Sequence, residues 1–122
     1  MKISCGTDII EINRVKEAIE TYEEKFQTEI FTKKEVEYCE SHKMQRFQHY
    51  AARFAAKEAI FKAISTKLDK TYRWTDFEIT NNEIGKPEVT LKTKIPEIEN
   101  IDISLSHCKD YAVATAVVLI KE

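Results

Sequence analysis

The chain has 122 residues, 43% hydrophobic and 33% charged, a composition that excludes disorder and fits one domain, residues 1–122, able to bury a real core. No apolar run approaches the ~20 residues of a membrane span, and a formal net charge of −2 leaves the chain as a whole without a nucleic-acid footprint. Cys5, Cys39 and Cys108 are odd in number and far apart, which excludes a disulfide framework or a CxxC pair. The opening MKISCGTDII has one lysine and no small-residue cleavage site, so a cytoplasmic location is the default expectation.

In chain order, KISCGTDIIEI alternates as a strand, with Ile3, Cys5, Thr7 and Ile9 on one face and Ser4, Gly6, Asp8 and Ile10 on the other. Asp8 therefore shares its face with a glycine that clears space. Ile12, Val15, Ile19, Tyr22 and Phe26 then recur at helical spacing, leaving Arg14, Lys16 and Glu17 exposed. Thr32 followed by Glu35 is a capping box that starts a second helix through about Cys39. A third, longer helix covers roughly residues 46–65. Beyond it WTDFEIT alternates, NNEIGKP supplies turn residues, and EVTLK returns as a hairpin partner. IDISLS alternates again, HCKD turns, and the apolar YAVATAVVLI reads as a strand buried on both faces. One strand, three helices and four strands predict an α+β fold with a mostly antiparallel sheet.

The long helix carries the candidate chemistry. Ala52, Ala55, Ala56, Ala59 and Ala63 form a stripe against which another backbone can pack closely. Arg53 and Lys57 are i, i+4 neighbours, as are Glu58 and Lys62. Alone, this is compatible with one surface ion pair worth ~0.2–0.5 kcal/mol and two solvated bases. Joined to Asp8, it reads differently, because two carboxylates from distant parts of a chain can hold one Mg²⁺ that completes its shell with waters and phosphate oxygens. Eight bases against four acids between Lys33 and Lys67 make the surroundings positive, which suits a phosphate-bearing ligand or an acidic partner, or simply a solvated helix face. Ser106 and His107, at the end of SLSH, could touch a nucleotide, though a turn histidine can equally be an exposed one. Gly85-Lys86 lacks the preceding glycine and following helix of a P-loop and reads as a hairpin turn. Cys39 and His42 share a helix face but have no second pair to complete a metal site.

GTDIIEINR, RFAAKEAIFKAI, WTDFEI, GKPEV and ISLSH together resemble the holo-[acyl-carrier-protein] synthase family of small 4′-phosphopantetheinyl transferases, from about Ile3 to Val118. The resemblance implies the transferase fold and transfer of 4′-phosphopantetheine from coenzyme A to a serine of apo acyl carrier protein, in fatty-acid biosynthesis, releasing adenosine 3′,5′-bisphosphate. It implies Mg²⁺ on Asp8 and Glu58, Lys62 beside the pyrophosphate, and coenzyme A held by Arg53, Lys57, Gly85, Lys86, Pro87, Ser106 and His107. Arg14 matches the position that meets the carrier's acidic helix, and a homotrimer with sites between subunits is the implied assembly. A coenzyme A-binding homologue with weak transfer, or a transferase for a specialised polyketide or peptide carrier, would use the same residues. Where the family usually has a glycine-containing loop after the long helix, this chain has STKLDK, which predicts a stiffer connection.

Overall fold

The computed structural model describes residues 1–122. Five strands and four α-helices follow one another: β1 (Lys2–Glu11), α1 (Ile12–Tyr22), α2 (Glu24–Ile30), α3 (Lys33–Ser41), α4 (Arg46–Ile64), β2 (Phe77–Asn81), β3 (Pro87–Leu91), β4 (Ile98–His107) and β5 (Tyr111–Ile120). All pairings are antiparallel, in a three-stranded sheet of order β1-β5-β4 and a separate β2-β3 hairpin. The α+β reading holds, with two differences in detail.

The first expected helix is divided. Glu23 takes φ 52° and ψ −134° and ends α1, although no glycine or proline marks the break. The turn places Phe26 against Phe54, stacked at 6.3 Å between centroids, and against Phe31, edge to face at 6.2 Å. Tertiary packing of the aromatic cluster thus overrides a continuous helical period. The second difference concerns β5, which is buried on one face only. Ala112, Ala114, Ala116, Val118 and Ile120 face inward, while Val117 and Tyr111 remain exposed beside Ile3 and Ile9 of β1.

Helix α4 lies against the inner face of this sheet. Ala55, Ala56, Ala59 and Ala63 are fully buried and Ala52 nearly so, which fits the close approach expected of the alanine stripe. The approach is closest at Gly6. A Cβ built there would stand 2.1 Å from the Ala59 carbonyl oxygen and 3.0 Å from both the Ala63 nitrogen and the Lys62 Cβ. The Ser4 hydroxyl, two residues away on the same face, donates to the Ala63 carbonyl. Around this seam Ile60, Ile64, Phe77, Ile79, Ile103 and Val118 form the main core.

A buried ion pair ties the remaining elements to α4. Lys57 and Glu35 are both fully enclosed and 2.7 Å apart. The Lys57 ammonium also donates to the Ile30 carbonyl at 2.7 Å and the Trp74 carbonyl at 3.1 Å. Glu35 accepts from the backbone N–H of Thr32 and of Ile79, each at 2.8 Å. The Thr32 hydroxyl in turn accepts from the Glu35 N–H, completing the expected capping box. The pair therefore joins the end of α2, the middle of β2 and the start of α3 to the middle of α4. Removing one partner of such a pair typically costs about 3–5 kcal/mol, because the other charge is left buried.

Where α3 meets α4, Tyr38, His42 and His49 pack ring to ring, with the two imidazoles 4.6 Å apart between centroids. Burial, reinforced by His42, Arg53 and His107, pushes the His49 imidazole down to about 4.

Gly6→Ala should destabilise the fold strongly, by about 1–3 kcal/mol or more for overpacking against backbone, seen as a lower Tm; an unchanged Tm would mean that β1 can move off α4. His49 stays neutral in the folded chain from its ordinary value of 6.5 down to about 4, whereas the unfolded chain takes up a proton there, so stability falls as pH drops through that window. His49→Gln should flatten the decline in Tm between pH 7 and pH 4.5 relative to wild type; parallel curves would show that His49 titrates alike in both states.

Candidate active site

Asp8 comes from the inner face of β1, two residues beyond Gly6, and Glu58 and Lys62 from successive turns of α4. The seam that forbids a side chain at position 6 thus delivers Asp8 to the edge of α4 where Glu58 and Lys62 emerge. The Lys62 ammonium stands 3.1 Å from Asp8 Oδ1 and donates to the Thr7 carbonyl at 3.0 Å. Asp8 is largely covered, with 14% of its side chain exposed, whereas Lys62 is 53% exposed. Burial first, and then the Asp8 charge, raise the Glu58 carboxyl above its ordinary value, while Lys62 pulls it back. Two carboxylates sharing one lysine form a site with an unmet demand for positive charge.

The donor chemistry suits a hard divalent cation. Both candidate donors are carboxylates, and no third His, Cys, Asp or Glu closes a cage around them, an arrangement that would suit Mg²⁺, which keeps several waters and takes the rest of its shell from phosphate. Cys39 is no soft-metal ligand here, being fully buried with its thiol pushed up to about 12, chiefly by burial.

The other expected residues lie on two further elements. Gly85 and Lys86 form the exposed tip of the β2-β3 hairpin and Pro87 opens β3. Gly85 has φ 85°, a conformation that favours glycine, and the Asn82 side chain accepts from the Ile84 and Lys86 N–H groups. The Lys86 ammonium meets Asp102 of β4 at 2.8 Å. Ser106 and His107 end β4 on opposite faces, and the His107 ring packs on the Gln48 amide of α4 at 2.8 Å. Asp8 is in register with Ala114 and Leu105, and Ile10 with Ala112 and His107, which places His107 roughly 12 Å from Asp8 by strand spacing and rise. Arg14 is exposed on α1.

Lys57 does not belong with them. The expectation that it holds coenzyme A is corrected by its full burial, with all three ammonium protons spent on Glu35, Ile30 and Trp74. Arg53 is likewise only 2% exposed. Its guanidinium lies 4.3 Å over the Tyr38 ring and reaches Asn81 at the end of β2 at 3.4 Å, while its Nε has no acceptor within the chain. Sequence reading missed Glu35 as the partner of Lys57. The capping box signalled Glu35, but the oxygen that accepts the Thr32 N–H also takes the Lys57 ammonium, and no spacing rule links residues 35 and 57.

The STKLDK segment closes α4 without a glycine. The Lys67 and Leu68 N–H groups both return to the Ile64 carbonyl, at 3.0 and 2.9 Å, and Leu68 inserts into the core. An apolar cleft between Phe61, Ile64, Leu68, Tyr72 and Trp74 lies past this turn, and neither Asp8, Glu58 nor Lys62 lines it.

Comparison with known proteins agrees with this layout. The model of the 4′-phosphopantetheinyl transferase superfamily matches residues 4–116, which takes in Asp8, Glu58 and Lys62. A holo-[acyl-carrier-protein] synthase of Ruminiclostridium cellulolyticum is 48% identical over 97% of this chain and 92% of its own length, and one of Chlamydia caviae is 44% identical over 94% and 95%. Among solved structures, the holo-(acyl-carrier-protein) synthase of Bacillus anthracis in complex with CoA (3′,5′-ADP) superimposes with a TM-score of 0.80 at 35% identity, over 94% of each chain. With β1 delivering Asp8 to the Glu58 and Lys62 turns of α4 and the match running nearly end to end, this chain belongs to the 4′-phosphopantetheinyl transferase superfamily.

Proposed function

We propose that the protein transfers 4′-phosphopantetheine from coenzyme A to a serine hydroxyl of an apo acyl carrier protein, giving the holo carrier and adenosine 3′,5′-bisphosphate. The arrangement of Asp8, Glu58 and Lys62 carries this reading, since it gathers two carboxylates and a mobile cation where a pyrophosphate must be neutralised and attacked. In phosphoryl transfer the protein's work is mostly positioning and charge stabilisation. A divalent cation such as Mg²⁺ on Asp8 and Glu58 would supply the larger share of charge neutralisation at the pyrophosphate.

Lys62, half-exposed on a flexible four-carbon stem, can follow charge as it builds on the departing phosphate. The leaving group is already a phosphate, so a nearby cation suffices and full protonation is not required. With both carboxylates committed to the cation, a water positioned by Glu58 or Asp8 would accept the serine proton. His107, Ser106 and the hairpin tip at Gly85, Lys86 and Pro87 would hold the nucleotide end of coenzyme A, some distance from Asp8. Arg53 acts here as a positioning residue that fixes Asn81 at the root of that hairpin. Arg14, exposed on α1, would meet an acidic face of the carrier. The absence of any helix long and apolar enough to cross a membrane is compatible with a cytoplasmic carrier.

The outer face of the β1-β5-β4 sheet favours assembly, as the resemblance implied. Ile3 is 74% exposed, Ile9 64% and Val117 43%, on neighbouring strands where a single chain leaves apolar side chains in water. We assign this face to contacts between copies in a homotrimer.

Incubation with coenzyme A, Mg²⁺ and apo carrier protein should add one phosphopantetheine to the carrier by mass spectrometry, and Glu58→Gln should lower kcat by about 10²-fold or more; no modification of any carrier tested would refute the activity. Val117→Lys should convert the assembly to monomers in sedimentation velocity, and a wild-type chain that is itself monomeric at micromolar concentration would refute the trimer.

A further inference from the structure

Lys62 does more than sit near a ligand. Its ammonium is held by Asp8 Oδ1 and by the Thr7 carbonyl, two acceptors from β1, at 3.1 and 3.0 Å. Asp8 is largely covered, and Glu58 feels both Asp8 and Lys62. The carboxylate that anchors the lysine is thus one of the two that would hold a divalent ion. An ammonium and a metal ion cannot share one carboxylate at close range without repulsion between the cations. A pyrophosphate at this site offers the lysine a second anionic partner, and the flexible lysine stem allows it to change partners.

We propose that Lys62 is a resident counter-ion of Asp8 that competes with the divalent cation, and that the pyrophosphate of coenzyme A relieves this competition by drawing the ammonium off Asp8. Binding of metal and of coenzyme A is then coupled through Lys62, beyond any coupling from phosphate oxygens that ligate the metal directly. Thermodynamic reciprocity requires each ligand to tighten the other by the same factor. The lysine thereby also disfavours metal capture at the carboxylates before coenzyme A arrives. This inference rests on the proposed coenzyme A and metal site.

The test measures Mn²⁺ binding by calorimetry and by paramagnetic resonance, in the absence and presence of coenzyme A, for wild type, Lys62→Met and Lys67→Met. Lys67 lies on the same end of α4 in the turn beyond it and removes an equal charge without contacting Asp8. Without coenzyme A, Lys62→Met should bind Mn²⁺ about 5-fold or more tightly than wild type, and Lys67→Met should bind it nearly as wild type does. Coenzyme A should tighten Mn²⁺ binding by a larger factor in wild type than in Lys62→Met. Equal Mn²⁺ affinities for wild type and Lys62→Met, or equal tightening factors in both, would overturn the competition while leaving the transferase reading intact. An Asp8→Asn variant that binds Mn²⁺ as wild type does would instead remove the metal site itself. Matching circular dichroism and Tm across the variants keeps a folding defect from imitating either result.

Discussion

The backbone-to-backbone approach of β1 and α4 at Gly6 is the constraint on which the site depends. A strand and a helix normally stand apart by the thickness of two side-chain layers. Here one layer is a hydrogen atom and the other is alanine, so Asp8 on the strand reaches the exposed edge of the helix instead of ending in the core. The cost is a seam with no slack, since a single methyl group at position 6 would meet a carbonyl oxygen. The gain is a rigid mutual placement of three ionisable groups, two of which would repel each other without support.

The second constraint is electrostatic and lies on the opposite side of the same helix. Lys57 follows Arg53 by one turn and precedes Glu58 by one residue, yet it faces the interior. Its pairing with Glu35 ends several elements at one point, because Ile30, Thr32, Trp74 and Ile79 all contribute backbone groups to the pair. Buried ion pairs add little net stability compared with an apolar replacement. What this one supplies is a fixed geometry, in which the loop before β2 and the capped start of α3 are held to the helix that bears Glu58. Charge on α4 is thus divided by face, with Arg53 and Lys57 inside and Glu58 and Lys62 at the rim of the sheet.

The remaining groups extend the site away from Asp8. His107 sits two strands over, and the hairpin tip is joined to the body through Asn81 and Arg53 on one side and through Lys86 and Asp102 on the other. A ligand that spans them must be long and must carry charge at more than one point, as a nucleotide with a pyrophosphate and a further phosphate does. The outer face of the sheet, apolar along β1 and β5, turns the opposite way.

Local pattern in the sequence determined much of this. The alternation of β1 separated Asp8 from Ile9, the alanine stripe announced a close neighbour, and Thr32 with Glu35 fixed the start of α3, because each depends only on residues a few positions apart. The motifs around Asp8, Glu58 and Lys62 were legible for the same reason. What tertiary structure alone decided was where ambiguous side chains point and where a continuous pattern breaks. Lys57 and Glu58 are adjacent, and helical spacing gave no reason to bury the one fully and leave the other at the rim; the presence of Glu35, 22 residues away, settled it. The division of the first helix at Glu23 answers to the aromatic cluster around Phe54, and the exposed face of β5 to the fact that one helix covers one side of a sheet. Such choices are made by contacts between distant segments, whose energies no local periodicity encodes.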